Sequence, residues 1–138
     1  MQNLLRVEIE RRTPEKPVAR LIGRLDSQTY KLAEEHLAPL LGASTTVLIL
    51  DLSGLTYLNS MGLRVLMVAT KTLAKHGGQC VISEPQAGVR AVLEIAKALP
   101  NQAVFTSMAE ADAYFDAIQK KAKEKAAGEK GRSGTMSL

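Results

Sequence analysis

The stretch Asp51–Arg64, DLSGLTYLNSMGLR, gathers the residues of this chain whose types and spacing could do chemistry. Asp51 and Ser53 close an apolar run, Asn59 and Ser60 stand where helix N-cap residues belong, and Gly62 lies beside them. From Leu63 the period becomes helical, with Leu63, Leu66, Met67, Thr70, Leu73 and Ala74 on one face. A helix that starts at the carboxyl end of a parallel strand offers free backbone N–H groups and the positive end of its dipole. Such a start suits an anion or a phosphorylated side chain.

Catalytic chemistry is poorly supplied. His36 falls on a helical stretch and His76 at a helix end, neither with carboxylate or cysteine companions at metal-ligand spacing. Ser60 has no G-x-S-x-G elbow and no identifiable His–acid pair, and no phosphate-binding Gly-x-x-x-x-Gly-Lys occurs. Asp51 could be a catalytic carboxylate at a strand end; equally, D-L-S is a terminus whose Asp and Ser satisfy loop amides. The single Cys80, within QCVIS, reads as a buried filler, with redox sensing as the alternative. The expectation is a binding module, not an enzyme, with no cofactor and no metal.

The elements that must position this stretch follow from periodicity. Leu4–Glu10 alternates like a half-solvated strand, the prolines of Arg12–Pro17 mark a turn, and Val18–Leu25 is its hairpin partner. Asp26 or Ser27 then caps a helix with Tyr30, Ala33, Leu37, Leu40 and Leu41 inward, shortened at Pro39. The continuous run Thr45–Leu50 predicts a strand covered on both faces, followed by a loop and a helix over about 60–76 that closes at His76-Gly77-Gly78. Gln79–Ser83 is a further strand, Val89, Val92, Leu93 and Ala96 face inward from the next helix, and Ala103–Phe105 is a short strand. Ser107-Met108-Ala109-Glu110 is a capping box opening a last helix that runs from about 108 into the tail, with Ala111, Tyr114, Phe115 and Ile118 inward. The fold class is α/β: a small mixed β-sheet, an N-terminal hairpin followed by alternating helix and strand, backed by about four helices.

A chain of 138 residues with 46% apolar content reads as one globular domain. Its net charge of +4 invites a nucleic-acid reading, but Lys120, Lys121, Lys123, Lys125, Lys130 and Arg132 against Glu124 and Glu129 account for all of it. Residues 1–118 are neutral overall, without the basic stripe of a nucleic-acid binder. The domain is therefore expected over 1–118, and the Gly-, Ser- and Lys-rich 119–138 as a basic, disordered tail. No apolar run approaches the ~20 residues of a membrane span, and MQNLLRVEIERR has no signal-peptide core. A soluble cytoplasmic protein is the expectation.

The spacing D-L-S-x-L-x-x-L-[ND]-S-x-G-L resembles the signature of STAS domains, most closely that of bacterial anti-sigma factor antagonists. Gly23-x-Leu25-Asp26 and the helix start Ser107-Met108-Ala109-Glu110-Ala111 extend the resemblance over most of residues 4–118. It implies partner switching: an unmodified antagonist binds an anti-sigma factor that is also a serine kinase-like protein, and so releases a sigma factor. Phosphorylation at the helix start breaks that complex. On this matching Asp26 is the acid after the second strand, Asn59 replaces a common Asp, Ser60 is the first Ser, Met61 stands on the phosphoacceptor, and Gly62 is retained.

Met61 carries no hydroxyl, which leaves three readings. The chain is a permanently unphosphorylated antagonist, or Ser60 takes the phosphate, or the domain is a constitutive docking subunit outside sigma control. The readings without phosphorylation are preferred, because a shift from Met61 to Ser60 turns the side chain roughly 100° about the axis. Arg64, Val68, Lys71 and Lys75 on the outward stripe are either an acidic partner's contact or a solvated face. The same resemblance also admits a soluble STAS subunit of a membrane ABC-type transporter.

Overall fold

The alternation of Leu5, Val7 and Ile9 with charged residues builds the hairpin on which the rest of the sheet is assembled. In the computed structural model, which describes residues 4–98, 107–127 and 134–138, β1 (Leu5–Arg11) runs antiparallel to β2 (Pro17–Leu25). Leu5 lies opposite Gly23 and Arg11 opposite Pro17, which opens its strand where no ladder N–H is required. α1 (Tyr30–Leu37) buries Ala33 and Leu37 and gives way at Pro39 to a single 3-10 turn, Ala38–Leu40. Its N-cap is Thr29, not Asp26 or Ser27. Asp26 instead closes the approach to the helix, its carboxylate accepting from the Gln28 N–H at 2.9 Å and its carbonyl from the Tyr30 N–H at 2.9 Å.

β3 (Val47–Asp51) lies parallel to the first half of β2, with Ile49 opposite Val18 and Asp51 opposite Arg20. The sequence predicts a loop from Gly54 to the next helix. The structure has a second short strand there, β4 (Leu55–Leu58), parallel to the last part of β2. The turn that makes this possible is tight: the Leu55 N–H donates to the Leu52 carbonyl at 3.0 Å and the Gly23 N–H to the Gly54 carbonyl at 2.9 Å. Leu55 and Leu58, both without solvent exposure, are the apolar ends of a pattern too short to separate from loop.

α2 (Ser60–Lys75) follows, and Gly77, at φ +77°, ends it as the Gly pair predicts. Its buried residues are Gly62, Val65, Leu66, Ala69 and Leu73, so the inward stripe is rotated from the expected one. Leu66 and Leu73 keep their place, while Ala74 is exposed. β5 (Gln79–Ser83) pairs parallel with β3, and α3 (Ala87–Ala98) buries Val89, Val92 and Leu93. The expected strand Ala103–Phe105 lies outside the described residues.

α4 (Met108–Ala127) begins with the Glu110 N–H bonded to the Ser107 hydroxyl at 3.1 Å and buries Ala111, Phe115 and Gln119. Tyr114, expected inward, is exposed. The helix runs into the tail as expected, ending at Ala127, and Gln119, just past the expected domain boundary at 118, is buried. β6 (Thr135–Ser137) then pairs antiparallel with β5, so Met136 lies opposite Ile82. Among the described residues of 119–138, then, the first nine continue α4 and Thr135–Ser137 form β6.

Among the described residues the sheet has six strands in the order β1-β2-β3-β5-β6, with β4 joined to β2. One face carries Ala19, Leu21, Leu48, Leu50, Cys80 and Ile82 into a single apolar core with α1 to α4. The other face is not covered as the continuous apolar run predicts: β3 alternates, with Val47, Ile49 and Asp51 only half-buried. Across this face Arg20 joins Asp51 at 3.2 Å and Glu10 at 3.4 Å. Burial pushes the Cys80 thiol up to about 11, which leaves it a packed apolar group and not a reactive one.

Candidate functional site

The site is the junction of β4 and α2. Asn59 is extended, at φ −110° and ψ −174°, and its side-chain oxygen accepts from the Gly62 N–H at 3.1 Å. That is the N-cap bond its residue type and position predict. Its amide nitrogen donates to the Ser27 hydroxyl at 3.1 Å, tying the head of α2 to the loop after β2. Gly62 is what lets the two approach. A Cβ at this position would lie 2.4 Å from the Leu25 carbonyl oxygen and 2.8 Å from the Leu25 Cγ. The glycine therefore serves close packing of helix against strand end, not an unusual backbone angle.

Ser60 is the first residue of α2 and is not its cap. Its N–H donates to Asp112 Oδ1 of α4 at 2.9 Å, and its hydroxyl donates to the same oxygen. The free donor expected at this helix start is thus met within the chain by a carboxylate. Met61, one position on, is half-buried and is not part of the core cluster. Further along, Arg64, Val68, Lys71 and Lys75 are exposed, Val68 at 46%. α2 contains no acidic residue, so its outward stripe is uniformly basic with apolar contacts between the charges.

Asp26 flanks the junction. It is 9% exposed, with its second oxygen 3.5 Å from Arg24 Nε. The Arg24 guanidinium in turn lies 4.0 Å over the Tyr57 ring. Arg24, Asp26, Ser27, Tyr57 and Asn59 line a shallow open cleft of about 300 Å3 beside the head of α2. Burial, then the hydrogen bond to Asp116, raises the Tyr57 phenol above its ordinary value of 10.0. Asp51, weighed above as a possible catalytic group, lies apart from this cleft. Its Oδ1 accepts from the Ser53 N–H at 3.0 Å and the Ser53 hydroxyl at 2.7 Å, and its Oδ2 from Arg20, so it terminates a strand.

The sequence residues Asp26, Asn59, Ser60, Gly62 and Met61 come together here, with Arg64 on the adjoining turn. Sequence reasoning missed Asp112, Asp116, Gln119 and Lys123 of α4, which bond to this junction. Their spacing along one helix face is a signal of a kind, but polar side chains at that spacing ordinarily mark a solvated face. Among the described residues no group of three His, Cys, Asp or Glu is arranged to hold a metal ion, and no helix is long and apolar enough to cross a membrane.

Comparison with known proteins agrees with this architecture. The family model for the STAS domain matches residues 7–111. A putative anti-sigma factor antagonist, BtrV of Bordetella bronchiseptica, is 34% identical over 98 residues, which is 71% of this chain and 84% of BtrV. The unphosphorylated anti-sigma factor antagonist SpoIIAA superposes with a TM-score of 0.61 at 22% identity, over 67% of this chain and 81% of SpoIIAA. An anti-sigma factor antagonist from Mycobacterium paratuberculosis gives 0.54 at 21% identity, over 86% of this chain and 94% of that one. The chain belongs to the STAS domain family, among its anti-sigma factor antagonists.

Proposed function

We propose that this chain acts in the cytoplasm by partner switching, binding an anti-sigma factor of the serine kinase-like class and thereby freeing a sigma factor. The docking surface is the head of α2 with Asp26, Asn59, Ser60, Met61, Gly62 and Arg64. The observation that carries the reading is Met61, half-exposed as the second residue of α2 beside the close-packed Gly62. A thioether accepts no phosphate, so the protein stays in the state that binds. A phosphoserine in its place would add about −1.5 to −2 charges to the centre of the contact. Arg64, Lys71 and Lys75, on a helix without an acid, favour an acidic partner surface around an apolar contact at Met61 and Val68.

The test is capture of the tagged protein from the cytosol and membranes of its own cells, followed by kinase assays with what is captured. The expected partner is an anti-sigma factor that transfers phosphate to the Met61→Ser protein and leaves position 61 of the wild type unlabelled. A permease–ATPase complex in its place would make the chain a soluble transporter subunit. A captured kinase that binds Met61→Ser without phosphorylating it would refute the part assigned to Met61.

A further inference from the structure

Four polar side chains of α4, spaced by four, three and four residues, bond to Thr56, Tyr57, Leu58 and Ser60 of the docking segment. Lys123 Nζ donates to the Thr56 carbonyl at 2.9 Å, and Asp116 accepts from the Tyr57 hydroxyl. The Gln119 amide takes the Leu58 N–H at 3.0 Å and donates to the Leu58 carbonyl at 2.8 Å. Asp112 holds both the N–H and the hydroxyl of Ser60. Among the described residues β4 pairs with β2 alone, and Lys123 and Gln119 meet backbone groups of its other edge as a neighbouring strand would. Gln119 is 2% exposed, so its amide must stay paired or lose the free energy of its desolvation.

Ala111 and Phe115 join α4 to the apolar core and Ile118 packs against it, while the four polar side chains fix how the helix lies along the segment. We propose that Asp112 and Gln119 are positioning residues for the docking segment, and that Asp112 withholds Ser60 from phosphorylation while α4 is seated. This inference rests on the partner-docking reading of that segment. With α4 in place, Ser60 is turned to α4 and Met61 is the side chain left at the helix head. A phosphoryl group on Ser60 would bring about −1.5 to −2 charges against the Asp112 carboxylate. Phosphorylation therefore requires the first turns of α4 to lift.

Hydrogen exchange on the full chain tests the positioning role without any partner. In Asp112→Ala the Ser60 amide should exchange about tenfold faster or more, as loss of a bond to a charged acceptor implies. The β3 amides of Leu48 and Leu50 should keep their rates, and Asp112→Asn, which retains an acceptor oxygen, should restore slow exchange at Ser60. Gln119→Ala should do the same to the Leu58 amide alone. Unchanged exchange at Ser60 and Leu58, or an equal rise throughout the chain, would overturn the positioning role.

The withholding role is read with the captured kinase, ATP and mass spectrometry of the peptide carrying Ser60. Label on Ser60 in Asp112→Ala and none in the wild type is the expected result. Label on wild-type Ser60, or no label in a variant whose Ser60 amide exchanges fast, would overturn it. If no kinase is captured, the docking reading and the withholding role that rests on it both fall, and hydrogen exchange still decides whether α4 positions the segment.

Discussion

Replacing Gly62 by alanine puts the seating of α2 to a direct test. In an ordinary helix the change would help, since glycine is less favourable than alanine by about 0.8–1.0 kcal/mol. Here the new Cβ would stand 2.4 Å from the Leu25 carbonyl oxygen and 2.8 Å from the Leu25 Cγ. The carbonyl belongs to the backbone at the end of β2 and accepts the Asn59 N–H at 3.3 Å, so relief requires the helix head to move away. Overpacking of this kind costs roughly 1–3 kcal/mol, and the displaced head also strains the Asn59 cap. The net expectation is a loss of about 1–3 kcal/mol despite the gain in helix propensity.

An unfolding entropy of about 2.1 cal/mol/K per residue gives roughly 0.3 kcal/mol/K for a chain of 138 residues. A loss of 2 kcal/mol then lowers Tm by about 7 °C. The assay is thermal unfolding followed by circular dichroism, with Gly42→Ala as control, because nothing lies within 4 Å of a Cβ at Gly42. The control should be neutral or raise stability by about 0.4–1 kcal/mol. A Gly62→Ala protein as stable as that control would refute the close contact of α2 with Leu25.

Other outcomes follow from the same geometry. Asn59→Ala removes the acceptor of the Gly62 N–H and the link to Ser27, and should cost about 1 kcal/mol, or 3–4 °C in Tm. Burial opposes ionisation of Asp51, but the Ser53 N–H and hydroxyl and Arg20 outweigh it and hold its carboxyl below the ordinary 3.8. Its stabilisation is present above that value and is lost as pH falls through the lower folded value. Melting curves between pH 2 and 7 should therefore show Asp51→Asn trailing the wild type at neutral pH and converging on it in acid; a constant gap would contradict this. Ultraviolet titration should find a phenol that ionises above the ordinary range and that vanishes in Tyr57→Phe. Because its folded pKa is raised, Tyr57 stabilises the fold at neutral pH and ceases to do so as pH rises through that value.

Much of the fold was legible because its signals are local. The prolines of the first turn, the Asn59 cap, the break at Pro39 and the Gly pair after α2 each act within a few residues. The spacing from Asp51 to Leu63 likewise identified the family and singled out Asn59, Ser60, Met61 and Gly62. What periodicity misjudged was the cover on each side of β3, since an apolar run has the same appearance whether one sheet face is packed or two.

The surroundings of Ser60 were decided by tertiary structure alone. Its amide and hydroxyl are held by Asp112, 52 residues away in the chain, and the Leu58 amide by Gln119, 61 residues away. β4 became a strand through its pairing with β2 and the side chains of α4, neither of which has a pattern within LTYL. Residue types determined that Met61 accepts no phosphate. Whether Ser60 stands free or bonded depends on where a distant helix lies, and only long-range packing sets that.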